Sequence, residues 1–294
     1  MTMARRVEPV HTAPGDRHVV DLERQARSIR ATCVVMAFLG REGHLTSALS
    51  CVDILVALYS GWLRVSPDRL RDMHRDRFLF SKGHAASAFY AVLAEAGFLP
   101  REELATYGRS GSRLPSHPCR EMLACLEISS GSLGHGLGMG TGMMYGMNLS
   151  GSRGRVVVLM SDGECNEGSV WESAAFAAAQ KQDHLIAIVD NNNMQAVGRT
   201  DQLMGGASFE DKFRAFGWEA RTVDGRDIGQ ILAALDEAPF KPGRPSAIIA
   251  KTVGGAGVSF MEDNIVWHYR VPSKEDLISA LDELGEPPII GAPL

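Results

Sequence analysis

Short runs of uninterrupted apolar residues, separated by segments with helical periodicity, most restrict how this chain folds. The runs lie at 155–160, 185–190 and 246–251, and a predicted helix at 168–180 joins the first two. A strand that is apolar at every position is covered on both faces, as in a parallel sheet, whereas a half-exposed strand alternates. We therefore expect an α/β fold, doubly wound, with a mainly parallel sheet and helices on both faces.

The other predicted elements surround this centre. Strands are expected at 77–80 and 218–223, and helices at 21–38, 85–96, 209–216 and 228–235. Two further helices are expected to begin at capping boxes formed by Ser50 with Asp53 and by Ser273 with Asp276. Residues 108–136 are rich in Gly, Ser and Pro, which in a compact domain is typical of a functional or disordered segment. We expect a flexible lead-in over 1–16 and a single domain over 17–294.

Composition excludes several classes of protein. A net charge of −5 provides no general basic field, so we expect no nucleic-acid partner. No apolar stretch approaches the roughly 18 residues of a membrane-spanning helix, and the first residues lack the pattern of a secretory signal. The five cysteines form no CxxC pair, and their odd number fits reduced thiols. We therefore expect a cytoplasmic enzyme.

The most informative segment is 161–168, Ser-Asp-Gly-Glu-Cys-Asn-Glu-Gly, between a predicted strand and a predicted helix. Ligands of open parallel sheets bind beyond the carboxyl ends of the strands, which places Asp162 where it can hold a cation. Gly163 lets the backbone approach a phosphate, and the following helix N-terminus favours an anion. The next strand ends in Asp-Asn-Asn-Asn at 190–193, and Mg²⁺ prefers such oxygen ligands.

This segment resembles the thiamine diphosphate (ThDP) binding motif: Asp-Gly, then Trp-Glu at 171–172, a helix, a strand and Asn-Asn. The resemblance implies that Asp162, Asn192 thirty positions later and the backbone of Met194 bind Mg²⁺, or another divalent cation such as Ca²⁺ or Mn²⁺. It assigns Gly163 and Glu164 to the cofactor. Each dipeptide alone is more often a turn. Ser161 replaces the usual Gly, and Ala-Val at 196–197 departs from the usual Ile-Asp.

Several histidine motifs resemble those of transketolases. They are Gly-His at 43–44, Ser-Lys-Gly-His-Ala at 81–85, Leu-Pro-Ser-His-Pro at 114–118, Gly-Ser-Leu-Gly-His-Gly at 131–136 and Trp-His at 267–268. The resemblance implies that four histidines line the cofactor diphosphate and the sugar hydroxyls: His44, His84, His117 and His268. Imidazole titrates near neutral pH, which suits proton transfer to and from hydroxyls. No His or Cys spacing matches a zinc site.

The same resemblance assigns further residues. Gly131 and Leu133 approach the cofactor through their backbone, whereas His135 either binds the cofactor or packs against it. Glu167 and Glu172 match carboxylates at a subunit interface, although acidic residues also stabilise any helix N-terminus. The fold implied is the diphosphate-binding (PP-type) domain.

A transketolase of this kind transfers a two-carbon ketol unit from a ketose to an aldose. The resemblance covers the diphosphate-binding domain but includes no pyrimidine-binding domain, which carries the glutamate that activates the cofactor. We therefore expect a hetero-oligomer with a separate C-terminal (pyrimidine-domain) subunit, of α₂β₂ form, acting on small sugars or sugar phosphates in carbohydrate metabolism. Two alternatives stay open: the α subunit of a 2-oxo acid dehydrogenase E1, and a non-catalytic nucleotide-binding module.

Overall fold

The computed structural model describes residues 19–291, and its centre is a five-stranded parallel sheet. The pairs of neighbouring strands in this sheet are all parallel. In spatial order the strands are β1 (Arg77–Phe80), β2 (Val156–Ser161), β3 (Leu185–Asn191), β7 (Ser246–Lys251) and β6 (Glu219–Asp224). Two short strands, β4 (Met194–Gln195) and β5 (Gly198–Arg199), form a separate antiparallel hairpin.

Ten α-helices surround the sheet in the described part of the chain. They are α1 (Val19–Gly40), α2 (Leu45–Ser50), α3 (Val52–Ala57), α4 (Ala86–Glu95), α5 (Gly136–Leu149), α6 (Gly168–Ala179), α7 (Thr200–Met204), α8 (Phe209–Ala215), α9 (Ile228–Glu237) and α10 (Lys274–Leu284). None of them, within residues 19–291, combines the length and the apolar character that crossing a bilayer requires. The expected lead-in over 1–16 lies outside the described residues.

The sheet is covered on both faces, as its apolar strands predict. Val157 and Leu159 point into a core built with α1, α3, α4, α9 and α10. Their neighbours Val156 and Val158 point into a second core with α5, α6 and α8. Because side chains alternate along a strand, two apolar layers require a continuous apolar run. The predicted doubly wound α/β fold is therefore confirmed.

Helix ends were predicted with mixed success. Ser273 and Asp276 form a capping box at the start of α10, and Gly285 ends that helix in a left-handed conformation. The capping box at Ser50 was wrong, because Ser50 is the last residue of α2 and donates a 2.6 Å hydrogen bond to Asp190 in β3. Asp53 instead forms a buried ion pair with Arg30 in α1.

The segment 108–136 is mostly irregular, as expected, but α5 begins at its last residue and was not predicted. Five of the fourteen residues of α5 are glycine, and these weaken the apolar periodicity by which a helix is recognised. The helix forms because its buried side chains, including Leu137 and Met144, pack on β2 and α6. Tertiary packing therefore outweighs low helix propensity here.

Candidate active site at the carboxyl edge of the sheet

A cavity of about 540 Å³ lies at the carboxyl ends of β2 and β3, where the turns that follow these strands meet. Its wall combines segments that are distant in sequence, including the start of α2, the turn before α4 and the loop after β7. The lining residues with polar side chains are His44, Ser47, His84, Ser161, Asn166, Glu167, Asn192, Gln195, His268 and Tyr269. This is the position at which open parallel sheets bind ligands.

The four predicted histidines come together at this cavity. The imidazole of His44 lies 5.7 Å from that of His84, 5.9 Å from that of His117 and 5.4 Å from that of His268, measured between ring centroids. Three of the four line the cavity, whereas His117 does not line it and instead adjoins Gly131. The histidine cluster, as we name these four residues, is therefore a single structural unit.

Three imidazoles of the histidine cluster are held in the neutral form. Burial, followed by the neighbouring His117, lowers the pKa of His44. Burial lowers the pKa of His84 well below its usual value, and the Lys82 ammonium lowers it further. Burial, with His44 and Lys82, lowers the pKa of His268 to about 4. A neutral imidazole has one nitrogen donor and one nitrogen acceptor, so these side chains can orient hydroxyl groups without adding charge.

The backbone fixes the position of two of these histidines. His44 has a left-handed conformation, with φ of 64°, and its N–H donates a 2.7 Å hydrogen bond to the carbonyl of His268. A Cβ atom at Gly43 would lie 2.8 Å from the carbonyl oxygen of Tyr269, so this close approach requires glycine. The two chain segments are therefore held together by main-chain contacts, independently of the imidazoles.

The predicted metal ligands lie on adjacent strand ends, since β2 pairs with β3 and Asp162 donates its N–H to the carbonyl of Asp190. The Asp162 side chain is fully buried and accepts hydrogen bonds from the Gly163 N–H at 2.7 Å and the Thr200 hydroxyl at 2.9 Å. Asn192 lines the cavity, and its amide oxygen accepts the Met194 N–H at 2.9 Å. Asp162, Asn192 and Met194 thus lie at the same edge of the sheet, and their role as metal ligands stays a prediction.

The charges below this edge favour a cation. The Lys82 ammonium contacts the Asp190 carboxylate, and both side chains are completely buried. Burial alone would lower the pKa of Lys82, but Asp190 outweighs it and raises that pKa. Burial, and then the charge of Asp190, raises the pKa of Asp162 to about 6. Two carboxylates share one ammonium here, so the residual negative charge and the oxygen donors fit a divalent cation such as Mg²⁺.

Unpaired nitrogen atoms indicate that an anion completes the cavity. Among residues 19–291, the side-chain nitrogens Asn166 Nδ2, Gln195 Nε2 and His268 Nδ1 are buried without a hydrogen-bond partner, and all three residues line the cavity. Buried polar groups are almost always satisfied, so the two amide nitrogens call for a ligand with acceptor atoms and the imidazole nitrogen for a polar partner. A diphosphate has such oxygens, and the residues present therefore fit the diphosphate of ThDP.

Only part of the glycine-rich loop before α5 reaches the cavity, as the sequence predicts for Gly131 and Leu133. Gly131 and Leu133 line the cavity, and Gly131 has a φ of 143° with its Cα facing the His117 ring. His135 lies apart from the histidine cluster, in a shallow depression with Ser129, Ser130, Ser132 and Met139. The structure therefore groups His135 with the loop surface rather than with the other histidines.

The acidic residues after Asp162 divide into two kinds. Glu164 is fully buried and, like Asp162, does not line the cavity, so its assignment to the cofactor stays a prediction. Its Oε1 accepts the Ser81 hydroxyl and, at 2.9 Å, the Gly134 N–H. Glu167 and Glu172 are solvent-exposed, at the N-cap and in the first turns of α6. Only Glu167 also reaches the cavity.

Several residues of the site were missed in the sequence. Lys82 lies inside the motif at 81–85, in which the resemblance assigned a role only to His84. Asn166 lies inside the segment 161–168 in the same way. The contributions of Ser50, Thr200 and Thr252 had no detectable signal, because each acts through a hydrogen bond to a distant carboxylate: Asp190 for two of them and Asp162 for Thr200.

Comparisons with known proteins agree on one family. Residues 22–287 match the family described as Transketolase, thiamine diphosphate binding domain. The chain is 40% identical over 266 residues to an apulose-4-phosphate transketolase subunit of Actinobacillus succinogenes, covering 90% of this chain and 96% of that one. It is 36% identical over 266 residues to the 6-deoxy-6-sulfo-D-fructose transketolase subunit SqwG of a Clostridium species, with the same coverage of both chains.

The solved structure of the transketolase from Leishmania mexicana has the same fold. It superposes with a TM-score of 0.84 at 25% sequence identity and covers 93% of this chain. This chain spans only 42% of the length of that protein, whereas it spans nearly the whole of the two relatives named as subunits.

Proposed function

The chain belongs to the transketolase family, and from this premise we propose that it is the N-terminal subunit of a ThDP- and Mg²⁺-dependent transketolase. In this proposal it transfers a two-carbon ketol unit from a ketose to an aldose, in complex with a separate pyrimidine-domain subunit. The observation that carries the proposal is the histidine cluster, which adjoins the oxygen-rich edge at Asp162 and Asn192. A 2-oxo acid dehydrogenase α subunit does not require such a cluster of neutral imidazoles.

The residues of this chain would hold the cofactor at its charged end. Asp162, Asn192 and the backbone at Met194 would bind Mg²⁺ through oxygen, while Asn166, Gln195 and His268 would donate hydrogen bonds to the diphosphate. ThDP, when bound, supplies the electron sink that breaking a carbon–carbon bond beside a ketone requires. The protein contributes binding, orientation and electrostatic stabilisation.

The histidine cluster would act on the sugar. Neutral imidazoles can accept a proton from a hydroxyl at one nitrogen and donate one from the other. The lowered pKa values of His44, His84 and His268 keep these side chains uncharged at pH 7. A hydroxyl-bearing substrate is therefore bound through directed hydrogen bonds, and proton transfer takes place at a position shielded from bulk water.

The partner subunit would complete the site. Among the described residues that line the cavity there is no Lys or Arg, so an anionic group on the sugar has to be neutralised by another chain. Two relatives of similar length are named as transketolase subunits, which supports a split enzyme. We infer an α₂β₂ complex with ThDP at the boundary between unlike subunits. The exposed Glu167 and Glu172 would face this boundary.

The substrate would be an anionic ketose. One relative is named for apulose 4-phosphate and another for 6-deoxy-6-sulfo-D-fructose, both small sugars with an anionic substituent. We place the enzyme in the cytoplasm, because the five cysteines are free and three of them are buried as thiols.

Purification of the chain alone and of the chain co-expressed with a candidate partner tests the proposal. With ThDP and Mg²⁺, we expect ketol transfer only from the complex, and none from the isolated chain. A complex carrying Asp162→Asn controls for contaminating transketolase of the expression host, since it should assemble but remain inactive. Full activity of the isolated chain would exclude the split-subunit proposal, and a complex that binds no ThDP would exclude the cofactor assignment.

A further inference from the structure

The wall of the cavity carries an aromatic side chain that the proposed mechanism does not use. Tyr269 follows directly after His268, lines the cavity with His44 and His84, and is 60% exposed. Its neighbours Trp267 and His268 are buried at 3% and 5% exposure. A large, partly exposed aromatic ring on the wall of a polar cavity can contact a ligand that binds in that cavity.

Contacts on both sides of the backbone hold Tyr269 in this place. Its N–H donates to the carbonyl of Val266 at the end of a short helical turn, and its carbonyl lies against Gly43. The next residue, Arg270, stacks its guanidinium on the Trp267 ring at 4.6 Å. The segment is thus anchored before and after Tyr269, and the ring is presented from a rigid base.

The ring of Tyr269 packs edge-on against two members of the histidine cluster. Its centroid lies 5.3 Å from that of His44, at an interplanar angle of 71°, and 4.8 Å from that of His268, at 82°. Within residues 19–291, its hydroxyl forms no hydrogen bond. The edge-on packing leaves part of the ring and the hydroxyl available to a ligand. Tyrosine can therefore offer a ligand both an apolar surface and a hydrogen-bonding group.

We propose that Tyr269 is a specificity-determining residue, which contacts the ketose beside the atoms held by His44 and His268. This contact selects among ketoses by the pattern of their hydroxyl groups and by their width. The proposal rests on the proposed function above. In it, the ring limits the width of the sugar passage, and the phenol hydrogen-bonds a hydroxyl of the donor beyond its reacting carbons. A site that hydrogen-bonds a substrate hydroxyl rejects analogues that lack it, because its own polar group is then left unpaired.

The test compares Tyr269→Phe and Tyr269→Ala in the complex with the pyrimidine-domain subunit. The measurements are kcat and KM for a panel of anionic ketoses that differ in one hydroxyl or one branch, together with the Kd for ThDP. We expect Tyr269→Phe to lower kcat/KM about tenfold for the preferred ketose and little for the analogue lacking the contacted hydroxyl. Tyr269→Ala should also raise kcat/KM for bulkier ketoses relative to compact ones. The Kd for ThDP should stay unchanged within about twofold.

Tyr145→Phe is the matched control, since this tyrosine on α5 is also exposed, at 42%, and does not line the cavity. Its ketose preference should equal that of the wild type. Equal loss with every ketose, or unchanged discrimination in both Tyr269 variants, would overturn the inference. A wild-type complex that binds ThDP but transfers no ketol unit would instead overturn the proposed function, and the inference with it.

Discussion

The backbone N–H of His44 donates a 2.7 Å hydrogen bond to the carbonyl of His268 and joins two segments that are far apart in sequence at the candidate active site. The imidazoles of the same residues lie 5.4 Å apart. Since Gly43 contacts the backbone of Tyr269, the spacing of the imidazoles depends on a main-chain contact that no larger residue allows. Main-chain contacts, rather than contacts between the imidazoles, therefore set the relative positions of His44 and His268.

Gly43→Ala should separate the two segments and misplace His44 relative to His268. A displacement of about 1 Å at a reacting centre lowers rates by as much as 10²-fold, so we expect kcat/KM for ketol transfer to fall about 10- to 100-fold. The control is Gly142→Ala, because apart from the adjoining residues and backbone of α5 itself no atom lies within 4 Å of a Cβ at that position. Wild-type kinetics in the Gly43 variant would show that the contact does not position the histidines.

Asp162→Asn should abolish Mg²⁺-dependent binding of ThDP and yet stabilise the unliganded chain at pH 8. The pKa of Asp162 in the folded chain is about 6, above its ordinary value of 3.8, so the folded state disfavours the carboxylate. The cost of the buried carboxylate to the unfolding free energy is absent below about pH 4, where the group is protonated in both states, and it develops as the pH rises to 6. Asparagine removes it, and the gain in unfolding free energy at pH 8 should be on the order of 2 kcal/mol.

Urea unfolding of both proteins at pH 8 and pH 4, combined with calorimetric titration of ThDP with and without Mg²⁺, measures the two effects of Asp162→Asn. The difference in stability should shrink between these pH values. Tight Mg²⁺-dependent binding by the variant would mean that the metal lies elsewhere.

Lys82→Met should be among the most damaging substitutions outside the apolar core. Lys82 is the ammonium that neutralises Asp190, and both side chains are fully buried. Removing one partner of a buried pair leaves an uncompensated charge, which costs about 3–5 kcal/mol of unfolding free energy. The double variant Lys82→Met/Asp190→Asn should recover part of this loss, since it removes the unpaired charge at residue 190 and leaves only the Asp162 carboxylate buried nearby.

An exposed ion pair provides the comparison for Lys82. Arg221 and Glu237 are 43% and 57% exposed, and Arg221→Met should cost no more than about 1 kcal/mol. Chemical denaturation of the four proteins decides the matter. Equal costs for Lys82→Met and Arg221→Met would show that the buried pair adds no particular stability.

The parts of the fold that the sequence predicts best are those where one physical effect dominates. Strands β1 and β7 have the predicted bounds, because burial on both faces demands uninterrupted apolar residues. The capping box at Ser273 is local and was also predicted correctly. The box at Ser50 was wrong, since the hydroxyl of Ser50 bonds Asp190 across the molecule, and no local pattern reveals a partner so distant in sequence.

The candidate site follows the same division. His44, His84 and His117 could be found because each lies in a short motif with glycine or proline beside it, and His268 because the Trp-His pair at 267–268 resembles a family motif. Thr200 and Gln195 could not, since their roles depend on how the hairpin of β4 and β5 folds over Asp162. The resemblance assigns Glu164 to the cofactor, and in the structure its buried carboxylate accepts hydrogen bonds from Ser81 and Gly134. Neighbouring positions in a tight turn can face opposite sides, which spacing alone does not reveal.

Glu164 provides the last prediction, because its buried carboxylate joins the turn after β1 to the glycine-rich loop. Its Oε1 accepts the Ser81 hydroxyl and the Gly134 N–H, whereas Oε2 has no partner among the described residues. Burial raises the pKa of this carboxyl. Glu164→Gln keeps the acceptor and removes a buried charge, so its stability and its affinity for ThDP should stay close to those of the wild type.

Glu164→Ala, in contrast, removes the acceptor and leaves the Gly134 N–H and the Ser81 hydroxyl unpaired, at about 1–3 kcal/mol for each buried group. The loop that carries Gly131 and Leu133 should then become mobile, and the Kd for ThDP in the assembled complex should rise about tenfold or more. Glu102→Ala, at an exposed position, is the control and should change neither quantity. Thermal unfolding with ThDP titration separates the variants. Equal behaviour of the Gln and Ala variants would mean that the acceptor at residue 164 does not hold the loop in place.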